Sequence, residues 1–437
     1  MRLELLKTAI DDAEPVRVHG KVTRVIGMVI EGVGVGISIG EMCRVFPLDG
    51  AAVVCEVVGF NDDRVLLMPL GDTRGLGPGS KIVRLGAKAR VRLGAGLLGR
   101  VIDGLGNPID GKGLVQRDSE SSLYKSPQNP LTRKRIAEPL DVGIKAVNSL
   151  LTVGCGQRVG IFAGSGVGKS VLMGMMARNT EADVNVIALI GERGREVKEF
   201  IEKDLKAEGL KRSVVIVVTS DQPPLLRVRG AFLAMTIAEY FRDEGRQVLL
   251  LMDSLTRFAM AQREIGLAVG EPPTTKGYPP SVFALLPRLL ERVGTTDGDG
   301  AITGFFTVLV EGDDMSDIVA DTARAILDGH VVLSREMASM GHYPAIDVLM
   351  SISRCMMDIV SPEHWDSAQR VKSVLAVYRH NADLINIGAY KEGTNPEIDH
   401  AVKAIGRVER LLRQGMDEKV DYDDSLQQMY GLNLQKR

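Results

Sequence analysis

The 437-residue sequence is poor in aromatic residues and in cysteine, and both shortages restrict what the protein can do. Phe, Trp and Tyr together make up 4% of it, which is low for a protein that reads nucleic acid by stacking bases on aromatic rings. The four cysteines, Cys43, Cys55, Cys155 and Cys355, show no CxxC spacing. We therefore expect small buried thiols in a reducing compartment rather than metal ligands or disulfides.

Long apolar runs and an excess of one charge sign are lacking as well. No stretch approaches the length that spans a bilayer, and the opening MRLELLKTAIDDAE mixes charged residues among its leucines, unlike a signal peptide. The formal net charge of -2 gives no global attraction to nucleic acid or to a membrane. These features predict a cytoplasmic protein that has no nucleic-acid partner.

The first part of the chain shows two patterns. Residues 1–14 place apolar side chains at near-helical spacing, which predicts a short amphipathic segment that either frays or binds a partner. Short β-type runs separated by Gly, Asn and Asp then predict a small β-barrel over residues 15–87. Its only aromatic residues are Phe46 and Phe60. The barrel thus offers no stacking platform for bases, and we expect a role in assembly.

The remainder changes character after a glycine-rich connection, GRVIDGLGNPIDGKG (99–113). Between residues 88 and 360, helical stretches follow the continuous apolar runs RVGIFAG, VNVIALIGE, SVVIVVTS, QVLLLMDS and GFFTVLVEG. Strands buried on both faces have this composition, so the pattern predicts an α/β domain with a parallel sheet flanked by helices. Residues 361–437 are polar and helical in pattern, and they predict a helical C-terminal domain.

The motif with the clearest chemistry is AGSGVGKS, between the strand-like RVGIF and the helix-like VLMGMMAR. It departs from the phosphate-loop pattern only at Ala163, where the pattern has glycine. Glycines in such a loop let backbone amides converge on phosphate oxygens at a helix N-terminus. We predict that Lys169 reaches the β- and γ-phosphates and that Ser170 ligates Mg²⁺. The predicted nucleotide-binding residues of the loop are Gly164, Ser165, Gly166, Val167, Gly168, Lys169, Ser170 and Val171.

Hydrolysis needs a carboxylate that orients water and another near the metal. Asp253 ends the apolar run QVLLLMD and is predicted to hold Mg²⁺, partly through water. Glu192 ends the run VNVIALIGE. Because neighbouring parallel strands present their carboxyl ends to one crevice, we expect both acids near the γ-phosphate. For Glu192 a solvated charge at a strand end is the alternative, since Glu196 and Glu199 follow closely.

Several motifs in this order resemble the ATPase of type III protein secretion, a family similar to the subunits of rotary ATP synthases. They are AGSGVGKS, GERGREV, MDSLTRFAMAQREIGLAVGEPP, TKGYPPSVFALLPRLLERVG, GHYPAIDVLMSISR and GLGNPIDG. AMAQREIGLAVGEPPTTKGYPP and GHYPAID resemble the flagellar export ATPase more than the injectisome version. The resemblance covers about residues 16–415 and implies a RecA-like P-loop core with an N-terminal small β-barrel and a C-terminal helical domain.

The resemblance also implies roles for single residues. Glu192 matches the glutamate that polarises the attacking water, which non-catalytic rotary subunits lack. Arg193 and Arg257 resemble arginines near the terminal phosphate. Arg354 resembles the arginine that reaches into a neighbouring subunit's site, and Tyr343 resembles an aromatic residue that stacks on adenine. The alternatives are a structural ion pair for an arginine and a core position for the tyrosine.

The implied assembly is a homo-hexamer that hydrolyses ATP, releases export chaperones and promotes entry of unfolded substrates into a secretion channel. The other implied partners are a stator-like regulator at residues 1–14, a coiled-coil stalk in the pore, and a membrane export gate at whose cytoplasmic face the ring is peripheral. The proline-rich stretch GEPPTTKGYPPSVF (270–283) is expected to line the pore. Its Lys276 and an exposed Tyr278 are expected to contact the stalk.

Other functions share some of these motifs. A rotary ATPase catalytic subunit would co-purify with a membrane proton channel. An RNA-translocating hexameric helicase would need a basic, aromatic-rich N-terminal domain and would show RNA-stimulated hydrolysis. A non-enzymatic nucleotide-binding scaffold is disfavoured by Glu192.

Overall fold

The computed structural model describes residues 19–34, 36–47, 50–310 and 317–434. The chain forms two compact units. One consists of the residues up to Arg90 together with Pro223–Leu225 and Glu264–Pro272, and the other consists of the remainder. The amphipathic segment expected at residues 1–14 lies outside the described residues.

The first unit contains the predicted β-barrel. Within the described residues the barrel is closed and antiparallel, with the strand order β1-β2-β5-β4-β3-β6. The strands are β1 (Gly20–Ile26), β2 (Val29–Val33), β3 (Glu41–Phe46), β4 (Val53–Asn61), β5 (Arg64–Pro69) and β6 (Lys81–Lys88). Successive side chains along a strand point to opposite faces, and apolar ones such as Ile30, Val45, Leu67 and Ile82 are buried. The barrel therefore has a hydrophobic core of its own.

Two of the four cysteines face each other in this barrel. Cys43 on β3 is the register partner of Cys55 on β4, and both are fully buried. The hydrogen bond with Cys43, together with burial, raises the pKa of the Cys55 thiol. Because the thiolate is the reactive form of cysteine, the raised pKa makes Cys55 unreactive while the barrel is folded. Both residues are the small buried hydrophobes that the sequence predicts.

The second unit is built on a mixed sheet. Among the described residues its strand order is β17-β16-β10-β15-β13-β11-β12-β8, with β14 paired to β15. Neighbouring strands from β16 to β8 are parallel, whereas β14 and β17 are antiparallel to their neighbours. The strands from β7 onward are β7 (Arg90–Leu93), β8 (Arg100–Asp103), β9 (Ser119–Ser122), β10 (Arg158–Ala163), β11 (Val184–Glu192), β12 (Ser213–Thr219), β13 (Gln247–Asp253), β14 (Gly294–Thr295), β15 (Ala301–Leu309), β16 (Gly329–Leu333) and β17 (Ile346–Ser353).

The five apolar runs form β10, β11, β12, β13 and β15, as predicted, but the two edges of the sheet differ from the expectation. The stretch 99–113, expected to be a connection, contributes β8, which pairs in parallel with β12. The Arg100 guanidinium donates to both carboxylate oxygens of Asp110 at 2.7 and 2.8 Å, which folds the following turn back onto the strand. At the other edge β17 is antiparallel to β16, so the sheet is mixed rather than purely parallel.

Helices connect successive strands of the sheet and also form the C-terminal part of the second unit. They are α1 (Lys145–Leu150), α2 (Lys169–Asn179), α3 (Gly194–Glu199), α4 (Lys206–Lys211), α5 (Pro224–Asp243), α6 (Leu255–Ala268), α7 (Pro280–Leu290), α8 (Ile318–Ile326), α9 (Arg335–Ser339), α10 (Met356–Ile359), α11 (Pro362–Asn386), α12 (Pro396–Leu412) and α13 (Tyr422–Tyr430). A π-helical turn, Phe200–Leu205, joins α3 to α4. In the part of the chain that the structure describes, no helix combines the length and the apolar character that crossing a membrane requires.

The C-terminal helices share one core with the sheet. On α11 the ring Nε2 of His364 lies 2.8 Å from the carbonyl oxygen of Ser149 on α1. The Ser149 hydroxyl donates to the carbonyl of Ser425 on α13 at 3.1 Å, and the backbone N–H of Tyr422 donates to the Asp141 carboxylate at 2.9 Å. Apolar side chains of α11, α12 and α13 continue the same core. The C-terminal helices are therefore fixed directly to the segment that precedes the phosphate loop.

Candidate active site

The phosphate loop has the backbone that its glycines predict. It joins β10 to α2, and Gly166 and Gly168 have φ values of 80° and 90°. Residues with a side chain rarely adopt this left-handed region, so glycine avoids strain at both positions. Helix α2 begins at Lys169, immediately after Gly168. The first amides of a helix have no intrahelical acceptor and carry its positive dipole end, so they favour an anionic phosphate here.

Lys169 and Asp253 form an ion pair at the centre of the site. The Lys169 Nζ lies 2.5 Å from Oδ1 of Asp253, and the same oxygen accepts a hydrogen bond of 2.7 Å from the Thr307 hydroxyl. Asp253 is only 4% exposed. Burying a carboxylate is unfavourable unless it is paired and hydrogen-bonded, and these two donors meet that need. These two contacts join the phosphate loop, the end of β13 and the buried strand β15.

Glu192 lies at the end of β11, where its carboxylate is close to this pair. Its Oε1 is buried and, among the described residues, has no hydrogen-bond partner. Burial and the charge of Asp253 raise the pKa of Glu192 to about 7, while the charge of Lys169 acts in the opposite direction. The hydrogen bond with Glu192 lowers the pKa of Glu196. A carboxylate with a pKa near neutral is well suited to accept a proton from water at physiological pH.

The two arginines predicted near the terminal phosphate have different surroundings. Arg257, on α6 just after β13, packs its side chain against Gly191, where an added Cβ would lie 2.8 Å from the Arg257 Cβ. Its Nε is buried without a hydrogen-bond partner among the described residues. The side chain of Arg193 is 79% exposed and lies 3.8 Å from Glu196. Arg257 thus borders the strand end that carries Glu192, and both catalytic roles stay predictions.

Tyr343 lies beside the phosphate loop. A Cβ added at Gly168 would be 3.5 Å from Cε1 of the Tyr343 ring. The residue is 47% exposed, so one side of it faces solvent. This exposure does not fit a tyrosine packed in the core, which was the alternative. Stacking of the ring on adenine stays a prediction.

Arg354 follows β17 and is exposed. Its backbone N–H donates to the carbonyl oxygen of Asp328 at 3.0 Å, and its Nη2 donates to the carbonyl of Arg324 at 3.3 Å. The Asp328 carboxylate in turn accepts from the Arg158 guanidinium, on β10, at 2.9 and 3.0 Å. Within the described ranges no hydrogen bond or ion pair joins Arg354 to Lys169 or Glu192. Its side chain is held at the sheet edge rather than at the site of its own chain.

The residues present fit a magnesium ion. The described part of the chain contains no group of three or more His, Cys, Asp or Glu side chains arranged to hold a metal. Mg²⁺ usually binds through one or two carboxylates, water and substrate phosphates rather than through a cage of protein ligands. Asp253 and the hydroxyl of Ser170, the second residue of α2, supply such a donor set next to the expected phosphates.

The proline-rich loop differs from the expectation in one respect. Tyr278 is only 8% exposed, so the expectation of an exposed ring is wrong. The guanidinium of Arg263 lies 5.1 Å from its ring centroid, and the ring of Phe283 lies at 6.3 Å. The N–H and the hydroxyl of Thr274 donate to the Tyr278 carbonyl at 3.0 and 2.7 Å. Tyr278 therefore anchors the loop internally, whereas Lys276 is exposed.

Comparison with known proteins identifies the family. The β-barrel domain of the ATP synthase alpha/beta family matches residues 22–86, the nucleotide-binding domain of the same family matches residues 143–353, and the C-terminal domain of the type III secretion ATPase EscN matches residues 360–431. The flagellum-specific ATP synthase of Bacillus subtilis is 54% identical over 98% of this chain and 98% of its own length. The type 3 secretion system ATPase of Xanthomonas euvesicatoria is 50% identical over 94% of this chain and 93% of its own. The chain belongs to the family of flagellar and type III secretion ATPases.

The fold of this ATPase agrees with that assignment. The structure of the assembled ATPase EscN from enteropathogenic E. coli aligns with a TM-score of 0.88 and 42% identity, covering 94% of this chain and 99% of that chain. EscN has also been solved in complex with its central stalk EscO, and that structure aligns with a TM-score of 0.87. The predicted RecA-like core, N-terminal barrel and C-terminal helices are confirmed. The chain is an ATP-hydrolysing enzyme of this family.

Two residues that contact the site residues, Thr307 and Gln414, were not predicted from the sequence. Thr307 lies in the middle of the apolar run GFFTVLVEG, and a hydroxyl inside a buried strand is a signal that it needs a partner. Gln414, whose backbone N–H donates to the carbonyl oxygen of Tyr343, lies in a polar stretch of the C-terminal part. No local pattern marks Gln414, because its partners are distant in sequence.

Proposed function

We propose that this ATPase is the hexameric motor of a flagellar protein export apparatus. The observation that carries its ATPase chemistry is Glu192, a carboxylate with a pKa of about 7 beside the Lys169–Asp253 pair, whose buried Oε1 has no hydrogen-bond partner among the described residues. The flagellar system is favoured over an injectisome because the flagellum-specific relatives from Bacillus subtilis and Pseudomonas aeruginosa are 54% and 52% identical, against 50% for the Xanthomonas enzyme.

The residues divide the chemistry between them. The loop amides and Lys169 bind the β- and γ-phosphates of ATP, so Lys169 leaves Asp253 when nucleotide enters. Ser170 and Asp253 would hold Mg²⁺, which neutralises charge on the phosphates when it is bound. Glu192 orients a water molecule and accepts its proton as the water oxygen bonds to the γ-phosphorus. The bond to the bridging oxygen breaks at the same time, and ADP and phosphate leave.

Neighbouring subunits complete each site. Arg354 is exposed, its backbone N–H donates to Asp328 and its Nη2 donates to the Arg324 carbonyl, so the side chain lies at the sheet edge outside the site of its own chain. An arginine supplied by a neighbour stabilises charge that develops on the phosphates in the transition state. The predicted roles of Arg193 and Arg257 near the terminal phosphate are part of the same proposal.

The partners follow from the division into parts. We assign residues 15–87 to ring assembly, 88–360 to ATP hydrolysis and 361–437 to export chaperones and substrates. Residues 1–14 bind a stator-like regulator, and the exposed Lys276 contacts a coiled-coil stalk in the pore. The ring is cytoplasmic and peripheral at the membrane export gate. Loss of the regulator complex on deletion of residues 1–14, with nucleotide binding retained, tests the first of these contacts in a pull-down.

The function is tested by complementation in a bacterium that lacks its own flagellar export ATPase. The wild-type chain should restore filament growth, and Glu192→Gln should bind ATP normally but hydrolyse it about 10²–10⁴ times more slowly and fail to restore export. Glu264→Gln, outside the site, is the matched control. Near-normal turnover in Glu192→Gln would remove this residue from the mechanism. RNA-stimulated hydrolysis, or co-purification of a proton channel, would favour a helicase or a rotary ATPase instead.

A further inference from the structure

A short segment of the C-terminal part, residues 413–418, contacts the backbone of Tyr343 and the helices α1 and α2. Its second residue, Gln414, is 5% exposed, and its side-chain amide is fully hydrogen-bonded. Oε1 accepts from the backbone N–H of Lys145 at 2.8 Å, and Nε2 donates to the carbonyls of Gly143 and Glu418 at 2.9 and 3.0 Å. A buried amide with every partner in place fixes a single backbone arrangement.

The backbone of this segment reaches Tyr343. The N–H of Gln414 donates to the carbonyl oxygen of Tyr343 at 3.0 Å, and Nη1 of Arg413 is 3.5 Å from the carbonyl of Gly341. The Tyr343 ring lies against Gly168 of the phosphate loop. The hydrogen bond from the Gln414 N–H to the Tyr343 carbonyl therefore links the residue whose side-chain amide is held by Lys145, Gly143 and Glu418 to the residue whose ring is predicted to contact the base.

The same segment is tied to the far end of the phosphate-loop helix. Nη2 of Arg178, in the last turn of α2, donates to the carbonyl of Met416 at 2.6 Å. The Asp417 carboxylate lies 2.6 Å from Nζ of Lys206 and 3.8 Å from Arg178. Residues 413–418 thus connect Tyr343 with the helix that begins at Lys169.

We propose that Gln414 is a positioning residue that holds Tyr343 in place for the nucleotide base. The proposal rests on the proposed ATPase function together with the predicted stacking of the Tyr343 ring on adenine. A half-exposed ring contributes most to affinity when it is already ordered before the ligand arrives, because ordering a mobile side chain on binding reduces the affinity. Removing the Gln414 amide frees the 413–418 segment and, through it, the Tyr343 backbone. The base contact weakens, whereas the phosphate contacts made by the loop are retained.

The experiment compares ATP with inorganic tripolyphosphate, which has the phosphates but no base. Equilibrium titration is performed on the wild-type full chain and on Gln414→Ala, Tyr343→Ala and the double variant. Lys419→Ala, an exposed residue next to the segment, is the control. We expect Gln414→Ala to weaken ATP binding about three- to tenfold and to leave tripolyphosphate binding within twofold. In steady-state kinetics its KM for ATP should rise while kcat changes little. The double variant should be no weaker than Tyr343→Ala alone.

The outcomes separate this inference from the function on which it rests. If Tyr343→Ala leaves ATP affinity unchanged, the proposed base contact is wrong. If Tyr343→Ala weakens ATP binding and Gln414→Ala does not, the positioning role of Gln414 is overturned while the base contact stands. Equal losses for ATP and tripolyphosphate in Gln414→Ala would also overturn it, because they would indicate damage to the whole site. An additive double variant would show that the two residues act independently.

Discussion

The ammonium group of Lys169 lies 2.5 Å from a carboxylate oxygen of Asp253. Both groups are expected to contact the ligand, one on the phosphates and one on Mg²⁺. The pair therefore joins the two groups that are expected to bind the nucleotide and its metal.

Lys169→Ala is expected to lose ATP binding and turnover and to destabilise the empty chain. Among the described residues, the Asp253 carboxylate is then left buried with the Thr307 hydroxyl as its one remaining partner, which costs about 2–3 kcal/mol. Denaturant unfolding and ATP titration measure the two effects. Lys198→Ala, at an exposed lysine of α3, is the control and should behave like the wild type. Unchanged stability in Lys169→Ala would show that the pair contributes little to the folded state.

The stability of the empty chain should depend on pH through Glu192. Burial and the charge of Asp253 raise its pKa from the ordinary 4.5 to about 7, so between these values the folded chain holds a proton that the unfolded chain has lost. The contribution of Glu192 to stability therefore falls as the pH rises through this window. Glu192→Gln cannot ionise and so avoids this loss of stability. Above pH 7 its free energy of unfolding should exceed that of the wild type by about 1–2 kcal/mol, allowing for partial exposure.

The measurement is urea unfolding of both proteins at several pH values without nucleotide. Their difference in unfolding free energy should be near zero at the acidic end and should grow towards neutral pH. A difference that does not change with pH would mean that Glu192 ionises normally in the folded chain.

Mixed rings test whether Arg354 acts on a neighbour. Asp328 fixes the Arg354 backbone at the sheet edge, and the side chain has no contact with Lys169 in the described chain. Mixing Arg354→Ala subunits with Glu192→Gln subunits should restore part of the ATPase activity, because some interfaces regain both residues. Each variant alone, at the same total concentration, gives the baseline. No recovery in rings shown to contain both variants would place Arg354 outside the neighbour's site.

Substitutions at Lys276 and at Tyr278 test in two different ways whether the proline-rich loop contacts the stalk. Lys276→Ala removes an exposed charge and should reduce stimulation of the ATPase by the coiled-coil stalk protein while basal ATPase stays largely intact. Tyr278→Ala should also reduce stimulation, but by freeing the loop from Arg263. Tyr278→Phe keeps the ring under the guanidinium, so its response to the stalk separates the contribution of the ring from that of the hydroxyl. If Lys276→Ala and Tyr278→Ala both respond normally, the loop is not the stalk contact.

The sequence predicts the parts of this fold that depend on local pattern. The five apolar runs become buried strands because a strand covered on both faces must be apolar throughout. The phosphate loop is equally local, since Gly166 and Gly168 need left-handed backbone and Lys169 starts the helix. Strand β8 was not predicted, because it depends on the ion pair of Arg100 with Asp110 and on its pairing with β12.

The site was predictable where one strand end carries one functional group, as for Glu192 and Asp253. It was not predictable where contacts join distant segments. Tyr278 looked exposed in a stretch of prolines, but Arg263 on the preceding helix covers its ring. Gln414 is 71 residues from Tyr343, and only the folded chain brings their backbones to 3.0 Å. Such positions are decided by tertiary packing, which local propensity does not contain.

The facing thiols of Cys43 and Cys55 give the chain an internal reporter of barrel opening. Both are inaccessible across β3 and β4, and the raised pKa of Cys55 suppresses its reactivity further. A thiol reagent can label them only while these strands are apart, so the labelling rate measures how often the barrel opens under native conditions. Mass spectrometry distinguishes this signal from labelling of Cys155 and Cys355. Slower labelling on ring formation would therefore measure, without any mutation, how strongly assembly closes the barrel.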